Sequence, residues 1–282
     1  MAEAVDPPFD RPDAGFNALE GWTWIGCYGG YYLQADLLID FEHGFFTRQW
    51  QGRGPEVLAG YVSAGVSVHR PQQVHSAQVL PASAAGAEPW PQADGLVSDA
   101  GGQSLWVCGA DCTPVLLADP VSGRVAACHA GWRGVAGGIV LRAIERLEAV
   151  GCRRQDLLVA LGPAVAGERY QVERRVAEQV AQQVAPFDQL EREGAVLPDA
   201  EGLQTHVRLD IRVAQRLQLL RAGLDAEQIS SCPLCTVAEP LLFHSWRRDQ
   251  RKAVQWSGIV SQQLDAACLA VGGLRCNDAD VA

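Results

Sequence analysis

Two polar residues interrupt apolar stretches in the middle of the chain. Cys112 follows Asp111 in the gap between Leu105-Trp106-Val107-Cys108 and Pro114-Val115-Leu116-Leu117-Ala118. His129 falls where a third apolar run, Val125-Ala126-Ala127-Cys128, gives way to Ala130-Gly131-Trp132-Arg133-Gly134. A thiol and an imidazole at the ends of strands stand at the rim of a sheet, where sites tend to lie. They are seventeen residues apart, far more than within a zinc-finger repeat, so each comes from a different element. The pair suits a cysteine nucleophile with a histidine base, or two ligands of a borderline-soft metal. A structural reading stays open beside these. Buried cysteines are commonly small hydrophobes, and a histidine near a helix start is commonly a packed or capping group.

The elements that must hold these residues alternate between strand and helix. The region from Trp22 to Phe46 is aromatic and β-prone, with alternation from Tyr31 to Ile39. A short helix is expected at about 55–64 and extended segments from Val66 to Leu80, followed by a loop at 81–93. The three central runs read as buried strands. After them, Val135, Ile139, Ala143 and Leu147 lie four apart, with Val140 and Ile144 beside them, which predicts an amphipathic helix ending before Gly151. Leu157–Leu161 is the next strand, and helices are expected near 173–185 and 207–222. Asp225 with Gln228 has the pattern of a capping box. This order gives an α/β or α+β fold rather than a bundle. Residues 1–20 are expected to form a loose arm, 21–270 a single catalytic domain and 271–282 a tail.

Composition excludes several chemistries. At 282 residues the chain can bury about three-quarters of its unfolded surface without staples. A formal charge of −10 lacks the footprint of a nucleic-acid binder. Lys252 is the one lysine and precedes Ala253, so no P-loop is present. One methionine and six histidines are too few for blue-copper or multicopper ligation. Nine cysteines form no disulfide framework, and Cys232-Pro233-Leu234-Cys235 has no second CxxC to complete a zinc site. No apolar run reaches membrane-spanning length, and the acidic N-terminus does not read as a signal peptide. A cytoplasmic protein with reduced thiols is expected.

Three stretches closely resemble the motifs of the laccase-domain family. This family is also described as polyphenol oxidases or peptidoglycan-editing proteins, and now as purine nucleoside phosphorylases. They are Gln73-Val74-His75; Ala93-Asp94-Gly95-Leu96-Val97 with Ala110-Asp111-Cys112-Thr113-Pro114; and His129-Ala130-Gly131-Trp132-Arg133-Gly134. Leu161-Gly162-Pro163-Ala164, Cys235-Thr236 and Phe243-His244-Ser245-Trp246-Arg247-Arg248-Asp249 also resemble family positions, in the family's order. The resemblance spans about residues 40–260. It implies mixed β-sheets sandwiched between helices, an α/β/β/α layered single domain.

The resemblance further implies a zinc ion held by His75, Cys112 and His129. One thiolate and two imidazoles suit Zn²⁺, and three protein ligands leave a fourth position for water or substrate. Copper is the alternative or adventitious metal. The implied reaction is phosphorolysis of adenosine, inosine and methylthioadenosine to free base and ribose 1-phosphate, with adenosine deamination beside it. The implied partners are purine nucleosides and phosphate. Arg133, at a glycine-flanked helix start, and Arg48 resemble phosphate-binding arginines. No residue is singled out to protonate the leaving base. A metal-free Cys/His hydrolase, a peptidoglycan-precursor amidase and a copper-dependent polyphenol oxidase remain as alternatives. The sequence departs from the family pattern at Ser76, where glycine is usual, and in the short stretch between Arg48 and His75. It departs again at Trp246, and at Gln250-Arg251-Lys252-Ala253 where Thr-Gly-Arg is common.

Overall fold

The structure, a computed structural model, describes residues 19–27 and 30–262. The expected tail at 271–282 and nearly all of the expected N-terminal arm lie outside these residues.

The first strands are Trp22–Cys27 (β1), Gly30–Ala35 (β2) and His43–Phe46 (β3), an antiparallel meander. The alternation predicted to Ile39 stops at Ala35, where Asp36–Leu38 turns as a 3-10 helix and buries Leu38. Helix Pro55–Val62 (α1) follows, begun by Pro55 in the first-turn position that proline tolerates. Next come strands Ser67–His69 (β4), Val79–Pro81 (β5), Gly95–Val97 (β6), Gln103–Gly109 (β7), Thr113–Ala118 (β8) and Val125–Ala130 (β9). The helix predicted from Val135 is two helices, Trp132–Ala136 (α2) and Ile139–Ala149 (α3). They break at Gly138, whose φ of 70° is left-handed and stops helical continuation. The anticipated face of Ile139, Val140, Ala143, Ile144 and Leu147 is buried.

Strand Leu158–Leu161 (β10) is as read. Beyond it lie Gln171–Glu173 (β11), Arg174–Val184 (α4), Phe187–Arg192 (α5), Val196–Pro198 (β12), His206–Leu209 (β13) and Ile211–Arg221 (α6). Ile229–Ser231 (β14), Trp246–Asp249 (α7) and Gln255–Val260 (β15) complete the described elements. The Asp225–Gln228 capping box is formed.

Two six-stranded sheets stack face to face. One has the order β1-β2-β3-β15-β7-β4, the other β14-β10-β8-β9-β6-β5, and β11-β13-β12 form a small third sheet. Both large sheets are mixed, each with parallel pairs at its edges. The period of two along the central strands assigns the layers. On β8, Leu116 and Ala118 join Leu33, Phe45, Leu105 and Ile259 between the sheets. Val115 and Leu117 point the other way, into a cluster with α3, α4 and α6. Trp106, Phe46 and Tyr32 face outward from the first sheet onto Leu58 of α1. The result is helix, sheet, sheet, helix, as expected from the resemblance. Each large aliphatic side chain fully buried in these layers contributes about 2 kcal/mol. That gives a rigid frame for whatever the strand ends carry.

Candidate metal centre

The second sheet explains why Cys112 meets His129. Strands β8 and β9 are an antiparallel hairpin in which Thr113 pairs with Ala130 and Pro114 with His129. The residue just before β8 therefore lies against the end of β9. On the other side of β9, Gly95 of β6 pairs with Cys128, which sets Asp94 beside His129. His129 N–H donates to the Asp94 carbonyl at 2.7 Å. His75 comes from the connection between β4 and β5. Its φ of 59° is left-handed, a backbone strain for a non-glycine residue. One ligand atom each from His75, Cys112 and His129 lies within 4.8 Å of the others. The rings of His75 and His129 stand nearly edge-on, 4.9 Å between centroids.

Asp94 organises this cluster. Its carboxylate is fully buried. It accepts the His129 Nδ1–H at 2.9 Å and the backbone N–H groups of Val74, His75 and Ser76 at 3.2, 3.0 and 2.7 Å. The Ser76 hydroxyl adds a fifth bond at 2.8 Å. This carboxylate therefore orients one imidazole and seats the strained segment carrying the other. Burial alone would raise the Asp94 pKa, but the bonds from His129 and Ser76 outweigh it and hold it at about 2. Burial would likewise lower His129, yet Asp94 and Cys112 bring it to about 9. For Cys112 burial pushes up, and hydrogen bonds and charge from His129 and His75 pull the thiol down to about 6. Cys108, Cys128 and Cys232 lack such partners, and burial pushes each to about 12. The thiolate needed for metal ligation or nucleophilic attack is favoured at Cys112.

The donor set fits a borderline-soft divalent metal. The packing fits too. A Cβ built on Gly131 would stand 2.7 Å from Cys112 Sγ and 3.7 Å from the His75 ring, so only glycine leaves the sulfur its place.

The cluster opens into a cleft of about 570 Å³. Arg133, Arg247, Arg251 and Lys252 bring positive charge to its walls, while Trp132, Tyr170 and Trp246 bring aromatic surface. The Arg133 guanidinium lies over Trp132 at 4.4 Å and that of Arg247 over Tyr170 at 4.8 Å. Burial, then the Cys112 charge, push Tyr170 up to about 12, so its hydroxyl stays a neutral donor. Asp111, with a left-handed φ of 92°, accepts from Thr236 Oγ1 and Arg247 N, both at 2.6 Å, and ties α7 to the Cys112 turn. Arg133 thus lies in the cleft. Arg48 does not line it; its Nη1 donates to the Pro240 carbonyl at 2.6 Å beside a smaller neighbouring cavity.

Residues 56–262 match the family model described as multi-copper polyphenol oxidoreductase laccase. The chain belongs to this family. It is 44% identical over 258 residues to purine nucleoside phosphorylase slr1573 of Synechocystis, covering 85% of this chain and 97% of that one. A purine nucleoside phosphorylase of Deinococcus radiodurans is 38% identical over 180 residues, 64% of each chain. The crystal structure of YlmD from Geobacillus stearothermophilus matches with a TM-score of 0.73 at 26% identity, over 85% of this chain and 99% of that one. The laccase-domain family suspected from the sequence is thereby established.

Sequence reading named Asp94 only as part of a motif. Its signal is a lone carboxylate directly before a buried strand, but its five partners are brought to it by tertiary pairing. Tyr170 and Asp111 were likewise silent. The Cys232-x-x-Cys235 pair stays apart from the cleft lining. Cys232 packs between the sheets, and Cys235 Sγ accepts from Ala166 N at 3.3 Å. The six described cysteines assigned as free include both.

Proposed function

We propose that this chain is a purine nucleoside phosphorylase with one zinc ion held by His75, Cys112 and His129. The observation that carries the reading is the convergence of three metal-ligand atoms at a cleft with both cationic and aromatic walls. Bound there, zinc supplies a Lewis acid. The remaining work belongs to the chain. Arg133 and Arg247 attract an anion, and their guanidinium planes are already stacked on rings that hold them in place. Tyr170, Trp132 and Trp246 offer faces to a purine. The Tyr170 hydroxyl, protonated at neutral pH, is a donor for the nucleoside. Asp94 fixes the orientation of His129. Names of relatives over most of this chain's length support the same activity. Adenosine, inosine and methylthioadenosine are the proposed substrates, with deamination of adenosine as a side reaction at the same centre. Two measurements test this. Metal analysis of wild type and Cys112→Ala should find about one zinc per chain only in the former. Base release from inosine should require phosphate; release at the same rate without phosphate contradicts phosphorolysis.

One rival has an observation of its own. His129 hydrogen-bonds Asp94 through Nδ1 and also pairs with Cys112, giving thiol, imidazole and carboxylate in the order of a cysteine hydrolase. A triad does not use His75. Full activity of metal-free His75→Ala would favour the triad, and loss of both metal and activity favours zinc.

A further inference from the structure

His244 is 4% exposed, and its Nε2 is buried with no hydrogen-bond partner. An unpaired buried polar atom of this kind costs about 1–3 kcal/mol unless something meets it. The ring lines a cavity of about 80 Å³ together with Arg48, Gln51, Ser245, Asp249, Arg251 and Ala253. The cavity has room for a group the size of phosphate or for a few waters.

Its electrostatics select between these. Arg48 spends Nη1 on the Pro240 carbonyl, and no carboxylate among the described residues forms an ion pair with it or with Arg251. The one acidic wall, Asp249, is occupied: its two oxygens accept from Arg248 Nε and Nη2 at 2.8 and 2.7 Å. The cavity's net charge is therefore positive. The Ser245 hydroxyl accepts from Arg248 N and keeps its own proton to donate. Burial, then the Arg48 charge, hold His244 at about 4, so its ring is neutral at pH 7 and donates one hydrogen bond from Nε2 in the matching tautomer. Two guanidinium groups, a hydroxyl and an imidazole are donors suited to a tetrahedral oxyanion. The cavity also shares Arg251 and Ala253 with the metal cleft. Arg251 lies in the Gln-Arg-Lys-Ala stretch where the chain departs from the usual Thr-Gly-Arg.

We propose that the cavity between Arg48, His244 and Arg251 is the binding site for inorganic phosphate. It gives the cosubstrate its own pocket beside the nucleoside cleft. The assignment rests on the phosphorylase reading for its purpose, but phosphate binding is measurable without turnover. Calorimetric titration of the full-length zinc-loaded protein with inorganic phosphate should show one saturable site. Arg251→Gln and Arg48→Gln should each weaken it about tenfold, the loss of one charge-assisted contact. Arg192→Gln, on a remote exposed pair, should not. His244→Gln should weaken phosphate without changing nucleoside affinity; because it could also disturb folding, the two exposed-side arginine variants decide. In steady state, Arg251→Gln should raise KM for phosphate more than it lowers kcat. No saturable binding, or binding unchanged in both arginine variants, overturns the proposal. So does loss of phosphate binding in Arg133→Gln alone, which would place the anion in the cleft. Saturable binding without phosphate-dependent base release would leave the site standing and reject the phosphorylase reading.

Discussion

The Asp94 carboxylate takes the His129 Nδ1–H at 2.9 Å and the His75 N–H at 3.0 Å through the same oxygen. One atom thus disciplines both imidazoles. The other oxygen is crowded by Val74 N, Ser76 N and Ser76 Oγ.

An amide at position 94 cannot serve that geometry, because either orientation turns an NH₂ group toward donors. Asp94→Asn should therefore loosen the ligands while leaving all three in place. We expect metal affinity to fall about 10–100-fold, the usual effect of losing such a supporting carboxylate. Competition with a chromophoric chelator measures it. An unchanged affinity would remove Asp94 from any role at the centre.

The same carboxylate makes metal-free protein acid-sensitive. Its pKa is held at about 2 against 3.8 for the model group. A depressed acid stabilises the fold fully above its unfolded value and loses that contribution as pH falls through the folded value. The window is pH 4 down to 2, and the contribution is about 2 kcal/mol. Urea unfolding of metal-free wild type and Asp94→Asn should show a gap at pH 6 that closes by pH 2.

Cysteine reactivity should separate Cys112 from the rest. With its thiol at about 6 and Cys108, Cys128 and Cys232 at about 12, metal-free protein at pH 7 should alkylate first at Cys112. Peptide mapping after brief iodoacetamide treatment reads this. Added zinc should suppress it. Labelling of Cys112 that ignores zinc would argue against ligation by its sulfur.

Gly131→Ala tests the packing. The new methyl would press on Cys112 Sγ from 2.7 Å, and the β8–β9 hairpin leaves the sulfur little room to retreat. Overpacking of this kind costs about 1–3 kcal/mol. Lower zinc content with a modest fall in Tm is expected. Wild-type zinc content would mean that the sulfur is not held there.

The legible parts of the sequence were those with one dominant pattern. Leu105–Val107, Val115–Ala118 and Val125–Cys128 are buried on both faces, so they appear as apolar runs. Ile139–Leu147 shows its single apolar face at helical spacing. Strands β11, β12 and β13 gave no such signal, being three or four residues long and partly exposed. Cys112 and His129 stood out because a polar residue beside a buried run is conspicuous. His75 was recoverable only through motif likeness, since its exposed, polar surroundings carry no pattern. Asp94 and Tyr170 act through neighbours far away in the chain, which spacing cannot report. The His244 cavity is of the same kind, a product of which loops the two sheets bring together.

Strand β15 sits in the middle of the first sheet, paired on one side with β3 and on the other with β7. Residues 255–260 are thus the keystone for strands made more than 140 residues earlier. While the polypeptide is still being synthesised, β3 and β7 wait with open edges. A nascent chain stalled before Gln255 should be a far better chaperone client than the finished protein.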